Sequence, residues 1–379
     1  MKNELLPALR KELENSFGRK INTSRDCIQM VEDIYLKTGY SINSNTLRRF
    51  FGLVKSSYHP SPTTLSILLK YCGLNSIEEL EGILVIRNTD SEINKDEILR
   101  YLVSAIKSLP VKDDYLPVIE PLIMQTVSFL ERNPILIDRF QREIAESVSG
   151  QYYYFERSVN MDRLNSYYGI GLRYYQRSSN TPEASLFSNS IQVLRHWLSQ
   201  NKRETEKYLA ALPAIPVNNN LPVHIFGRYM AARLLGVNLK GEPAEKIISE
   251  ASRYYASIIT KKSKPFSDFE LPMAEALILT NLYSEAIEYI RGGKLRLQGA
   301  TENSARENLY GFWEEMINRK KADPLKAILT AGRSVVSKVI ATSPLSKRYF
   351  SILSHQALGK TRSTGFSELI RETGFIRLA

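Results

Sequence analysis

Cysteine is scarce. The 379-residue chain has only Cys27 and Cys72, both at apolar positions of expected helices, which argues against a disulfide framework or a cysteine-based zinc site. Histidine is equally sparse: His59, His196, His224 and His355 are scattered without ligand spacing. No window reaches the roughly 18 to 20 apolar residues that cross a bilayer. No basic start, apolar stretch and small-residue cleavage site occur together at the N-terminus. The expectation is a soluble, cytoplasmic protein without membrane contact. No nucleophile stands beside a base and no histidine–carboxylate cluster is evident, so neither catalysis nor a cofactor is expected. Gly169 and Gly171 lack the preceding strand and third glycine of a dinucleotide fingerprint. "LGKT" at 358–361 fails as a phosphate loop, because Ser354 stands where the first glycine belongs.

Acid is missing in two places. The net charge is +11; residues 1–85 carry 11 basic and 9 acidic side chains, residues 86–315 carry 28 of each, and residues 316–379 carry 12 and 3. Between Asp33 and Glu78 there is no carboxylate, while Lys37, Arg48, Arg49, Lys55 and Lys70 are basic. Such a stretch suits a polyanion-facing surface, or simply a solvated basic face. Between Asp323 and Glu368 the same pattern recurs, with Lys326, Arg333, Lys338, Lys347, Arg348, Lys360 and Arg362. That second run fits an extended DNA footprint, an acidic partner surface or plain solubilisation.

What is present is helical periodicity. The spacing predicts a helix over 5–16 stopped by Gly18, and a second from Thr23 or Ser24 to Gly39 with Cys27, Met30, Val31 and Ile34 inward. "SINSNTLRRFFG" predicts a third, capped by Ser44 and closed by Gly52, with Leu47, Phe50 and Phe51 on one side. Asn45 and Arg49 then lie almost opposite, with Arg48 on the flank. A fourth starts at Ser61 with Pro62 in its first position and stops at Gly73. "SIEE" offers a capping box from Ser76 and Glu79. We place domain boundaries at 1–86, a polar linker at 87–96, and an all-helical region at 97–379. Its patterned stretches lie near 97–108, 115–132, 134–148, 160–177, 184–200, 223–236, 243–261, 268–291, 303–319, 325–340 and 345–358. The fold class is all-α.

The order and capping of the first helices resemble the lambda-repressor-like helix-turn-helix domain, and "PSPTTLSILLKYCGLNSIEEL" resembles that family's fourth and fifth helices. The resemblance implies that residues 23–37 support and residues 44–51 read the major groove. By side-chain chemistry, Asn45, Arg48 and Arg49 are then the candidates for base edges. Ser24 and Arg25, helped by the free N–H groups of their helix end, would meet phosphate. Ser44 caps the reading helix, and Lys55, Ser56, Tyr58 and His59 follow it as candidates for the backbone. In "MAEALILTNLYSEAIEYI", Ala274, Leu277 and Leu279 precede a turn at 281–283, with Ala286 and Ile287 after it. That segment and "YFSILSHQALGKT" resemble tetratricopeptide helix pairs, so a solenoid or a bundle is expected beyond residue 97.

The whole resembles peptide-responsive bacterial regulators, which implies a DNA-binding homodimer whose helical domain takes a peptide, small-molecule or protein effector. A helical scaffold that does not read DNA is the alternative. "YYYF" at 152–155 and "YYGIGLRYY" at 167–175 read as aromatic core, or as a ligand groove.

Overall fold

In the first part of the chain each helix runs between a capping side chain and a glycine. The computed structural model describes residues 2–54, 60–74, 76–77, 79–80, 95–217, 220–259, 269–297, 304–321 and 333–379. Helix α1 (Lys2–Phe17) is followed by Gly18 at φ +82°. The Oγ1 of Thr23 receives the Asp26 N–H at the start of α2 (Ser24–Thr38), and Gly39 ends it at φ +74°. Helix α4 (Pro62–Tyr71) starts at Ser61, whose Oγ accepts the Thr64 N–H, and Gly73 follows it at φ +75°. This left-handed conformation costs an L side chain free energy and glycine almost none, which is why the chain stops its helices there.

Helix α3 (Ser44–Phe50) corrects one expectation. Its cap is Asn43, whose Oδ1 accepts the Asn45 N–H at 2.8 Å, and Ser44 is the first helical residue. Phe51 falls just beyond the helix and is half-buried, while Leu47 and Phe50 are buried as expected. Leu9, Leu13, Cys27, Met30, Ile34, Leu68 and Leu69 complete the centre of this small core. Of the expected fifth helix, the described residues show the Glu79 N–H donating to Ser76 Oγ at 3.2 Å and Leu80 fully buried.

The chain divides into two compact units, residues 1–98 and 99–379. The expected linker lies outside the described residues except for Lys95 and Asp96, which instead open α5 (Lys95–Lys107). Among the described residues there is no strand, and the protein is all-α.

The second unit continues with α6 (Leu116–Arg132), α7 (Ile137–Ala145), α8 (Tyr167–Ser179), α9 (Pro182–Leu198), α10 (Lys202–Ala210), α11 (Val223–Lys240) and α12 (Glu245–Ile259). After these come α13 (Glu270–Leu279), α14 (Tyr283–Leu297), α15 (Ser304–Lys321), α16 (Arg333–Thr342), α17 (Lys347–Ala357) and α18 (Thr364–Thr373). The patterned stretch 268–291 resolves into α13 and α14, with Asn281 at φ +64° in the expected turn. Helices α10 and α18 were not expected. The polar α10 buries only Thr205, so it carries no apolar period to read.

From α13 to α18 each helix packs on its sequence neighbour, as in a stack of helix pairs. The C-terminal helices also meet the middle of the unit. Buried Asp162 accepts the N–H groups of Arg348 and Tyr349 at 2.9 and 3.0 Å, so a carboxylate from another part of the chain caps α17. Asn165 donates to the Thr373 carbonyl at 2.7 Å, and Arg377 donates to the Trp197 carbonyl at 2.6 Å.

The aromatic runs are core. Tyr153, Tyr154, Phe155, Tyr168 and Tyr175 are buried, and Phe155 stacks on Tyr175 with ring centroids 5.3 Å apart. The glycines between them allow close approach: a Cβ on Gly169 would stand 2.1 Å from the Leu164 carbonyl oxygen, and one on Gly171 would stand 2.6 Å from Gln141. Residues 151–156 form a π-helix, closed by the Arg157 N–H donating to the Tyr152 carbonyl.

Candidate functional site

Two places carry chemistry. The first is the surface of α3. Its buried side is fixed by Leu47 and Phe50, which leaves Asn45 and Arg49 exposed and Arg48 half-buried. Arg48 is committed locally: its Nη1 donates to Asn45 Oδ1 at 3.0 Å, and its Nε is buried without an acceptor. Arg49 is therefore the arginine most open to a partner, and Asn45 keeps its amide N–H groups.

Ser24 and Arg25 are exposed at the start of α2, but this helix end is not free as expected. Asp26 closes a capping box with Thr23, accepting the Thr23 and Asn22 N–H groups at 2.9 and 3.2 Å, and Arg19 pairs with it at 3.1 Å. The Thr23 hydroxyl bond holds this carboxyl below its ordinary range against a smaller desolvation effect. Negative charge already occupies the position assigned to phosphate, which weakens that site. Lys55, Ser56, Tyr58 and His59 lie outside the described residues.

The acid-free stretch is less basic at its surface than its composition suggests. Lys37 pairs with Asp33 at 2.8 Å and sits over the Tyr71 ring, and Lys70 sits over the Tyr40 ring at 4.9 Å. Apolar side chains are exposed on the same helix: Ile28, Tyr35 and Leu36 on α2, with Leu36 at 80%.

The second place is a cavity of about 220 Å³ in the helical unit. The π-helix delivers Glu156 to its wall and Arg157 follows it directly, α11 delivers His224 and Arg228, and α13 delivers Glu275. Glu156 accepts from His224 Nε2 and from the Tyr175 hydroxyl, both at 2.8 Å. Arg228 donates to Glu275 at 2.9 Å. Arg157 is almost fully buried and lies 3.9 Å from Asp113. Leu116, Ile123, Met124, Trp313 and Phe350 supply apolar wall. Sequence reasoning missed this constellation because its pairs are 68 and 47 residues apart, and no local spacing announces them.

Among the described residues no group of three or more histidine, cysteine or acidic side chains can hold a metal ion, and no helix is long and apolar enough to cross a membrane. No protein family, curated protein or solved structure matches this chain.

Proposed function

We propose that the protein is a DNA-binding transcriptional regulator. Helix α3 reads the major groove, and the helical unit dimerises and senses an effector. The observation that carries this reading is the exposure of Asn45 and Arg49 opposite the buried Leu47 and Phe50 on a helix packed against α2. These side chains match adenine and guanine edges respectively. A homodimer would place two such helices on half-sites about 34 Å apart, one turn of the duplex. An effector preferred by one conformation of the helical unit would then shift the DNA-competent population.

A second reading has its own observation. The exposed Ile28, Tyr35 and Leu36 on α2 suit a protein partner, which would make the chain a helical scaffold that does not read DNA sequence.

Selection from randomised duplex DNA at two salt concentrations separates the two. A reader enriches a defined motif, its affinity falls steeply with salt, and Arg49→Ala lowers the salt slope by about one or erases the motif. Absence of enrichment by the folded full chain, with Arg49→Ala indistinguishable from the parent, rejects DNA reading. Helix exposure then points to the scaffold.

A further inference from the structure

The cavity in the helical unit has its charges matched within its own wall. Glu156 is tied to His224, and Glu275 to Arg228. Arg157 lies near Asp113 and over the Tyr152 ring, and Glu120 and Arg306 are engaged as well. A ligand of either sign would have to open one of these contacts and leave a wall charge without its partner, and stranding a buried charge is strongly destabilising. Charged ligands are therefore disfavoured.

What remains unmatched is neutral. Ser158, Ser343 and Ser346 line the cavity, and among the described residues none of their hydroxyls makes a hydrogen bond. Ser158 follows the π-helix and is only 9% exposed, while Ser343 and Ser346 come from the turn that joins α16 to α17. A buried hydroxyl normally has a partner, and Ser158 has none but what enters the cavity. Leu116, Ile123, Met124, Leu309, Trp313 and Phe350 supply an apolar wall. At about 220 Å³ the space exceeds the roughly 150 Å³ that admits benzene, and Glu120 and Thr342 at its edge are exposed, so it opens to solvent.

We propose that this cavity binds an uncharged small molecule of about ten non-hydrogen atoms, an apolar body that carries one hydroxyl or carboxamide group. The body lies against Met124, Trp313 and Phe350, and the polar group exchanges hydrogen bonds with the serine hydroxyls. No ion pair of the wall opens. This deepens the sensor half of the proposed function by naming the class of effector, and it rests on that reading only for any effect at DNA.

The test is calorimetric titration of the full chain at neutral pH, without DNA, with five probes that share one body: phenethyl alcohol, phenylacetamide, phenylacetate, phenethylamine and ethylbenzene. The alcohol, the amide or both bind at a single saturable site. Phenylacetate and phenethylamine, charged at this pH, bind at least about tenfold more weakly. Ethylbenzene, which has no polar group, binds weaker by about three- to tenfold. Ser158→Ala, Ser343→Ala and Ser346→Ala together bring the alcohol to the affinity of ethylbenzene and leave ethylbenzene itself unchanged, a split that a purely structural role would not produce. Met124→Trp fills the apolar wall and abolishes all binding; Ser343→Trp does so from the turn and serves if that variant does not fold.

The proposal is overturned if neither the alcohol nor the amide binds, or if a charged probe or ethylbenzene binds as tightly as the better of the two. It is equally overturned if the serine variant weakens every probe alike or none, or if a folded, filled variant binds like the parent. These readouts contain no DNA, so failure of the groove-reading assignment leaves them unchanged. Failure here leaves the duplex selection unchanged.

Discussion

The two units are built by different means. In the first, order is local: Thr23, Asn43 and Ser61 start helices within three residues of the N–H they receive, and glycines at positive φ close them. The second has such local caps too, at Thr181, Asn201 and Ser363, and adds order from afar. Asp162 caps a helix 186 residues later, and Gly169 leaves room for the Arg195 guanidinium, which a Cβ there would meet at 2.7 Å. A local device serves one helix end, whereas a distant one holds several elements together. The same chemistry, a carboxylate or hydroxyl on a backbone N–H, therefore carries different weight in each.

That difference can be broken from the larger side first. Asp162→Ala is expected to destabilise the second unit by about 3 kcal/mol, because it strips two N–H groups of their acceptor and leaves Arg348 without that buried charge. Both tryptophans, Trp197 and Trp313, lie in this unit, so tryptophan emission during urea unfolding reads it alone. Gly169→Ala should cost about 2 to 3 kcal/mol in the same assay, since the new methyl meets a backbone oxygen that has nowhere to go. In the first unit Thr23→Ala should cost about 1 kcal/mol, seen as faster amide exchange along α2 with the tryptophan transition unmoved. An equal effect of Thr23→Ala and Asp162→Ala would erase the distinction.

The smallest expected effect concerns pH. His196 stacks on Tyr208 with ring centroids 5.4 Å apart, and burial, then the neighbouring Arg195, holds its imidazole below the ordinary 6.5. The unfolded chain thus takes up the proton first as pH falls. The stability that His196 contributes is full above 6.5 and is lost as the pH drops through its lower folded value. The tryptophan-detected midpoint should decline between pH 7 and 5, and His196→Gln should flatten part of that decline.

What was legible follows from the same contrast. The ends of α2 and α4 could be read from "NTSRD", "TG" and "SPTT" because caps and stops are properties of adjacent residues. Even the error at Ser44 was a slip of one position, between two residue types that both make good caps. The opposition of Asn45 and Arg49 to Leu47 and Phe50 was also readable, being fixed by helical period alone. Arg48 was not, since its tie to Asn45 depends on rotamers. Beyond residue 97 the apolar period gave most helices but missed α10, which buries only Thr205, and α18, and gave no hint of the π-helix. The cavity was invisible because Glu156, His224, Arg228 and Glu275 meet only after several helices have packed.

The contacts of Asp162, Asn165 and Trp197 with residues 348, 349, 373 and 377 span 180 to 208 residues. Loop closure over such distances precedes any reward from the contacts it allows. During synthesis, then, the middle of the second unit leaves the ribosome long before the segment that completes it. For that interval the surfaces around Asp162 and Trp197 stand open. The first unit, whose helix ends depend on close neighbours, is under no such delay and is free to settle while the rest of the chain is still being made.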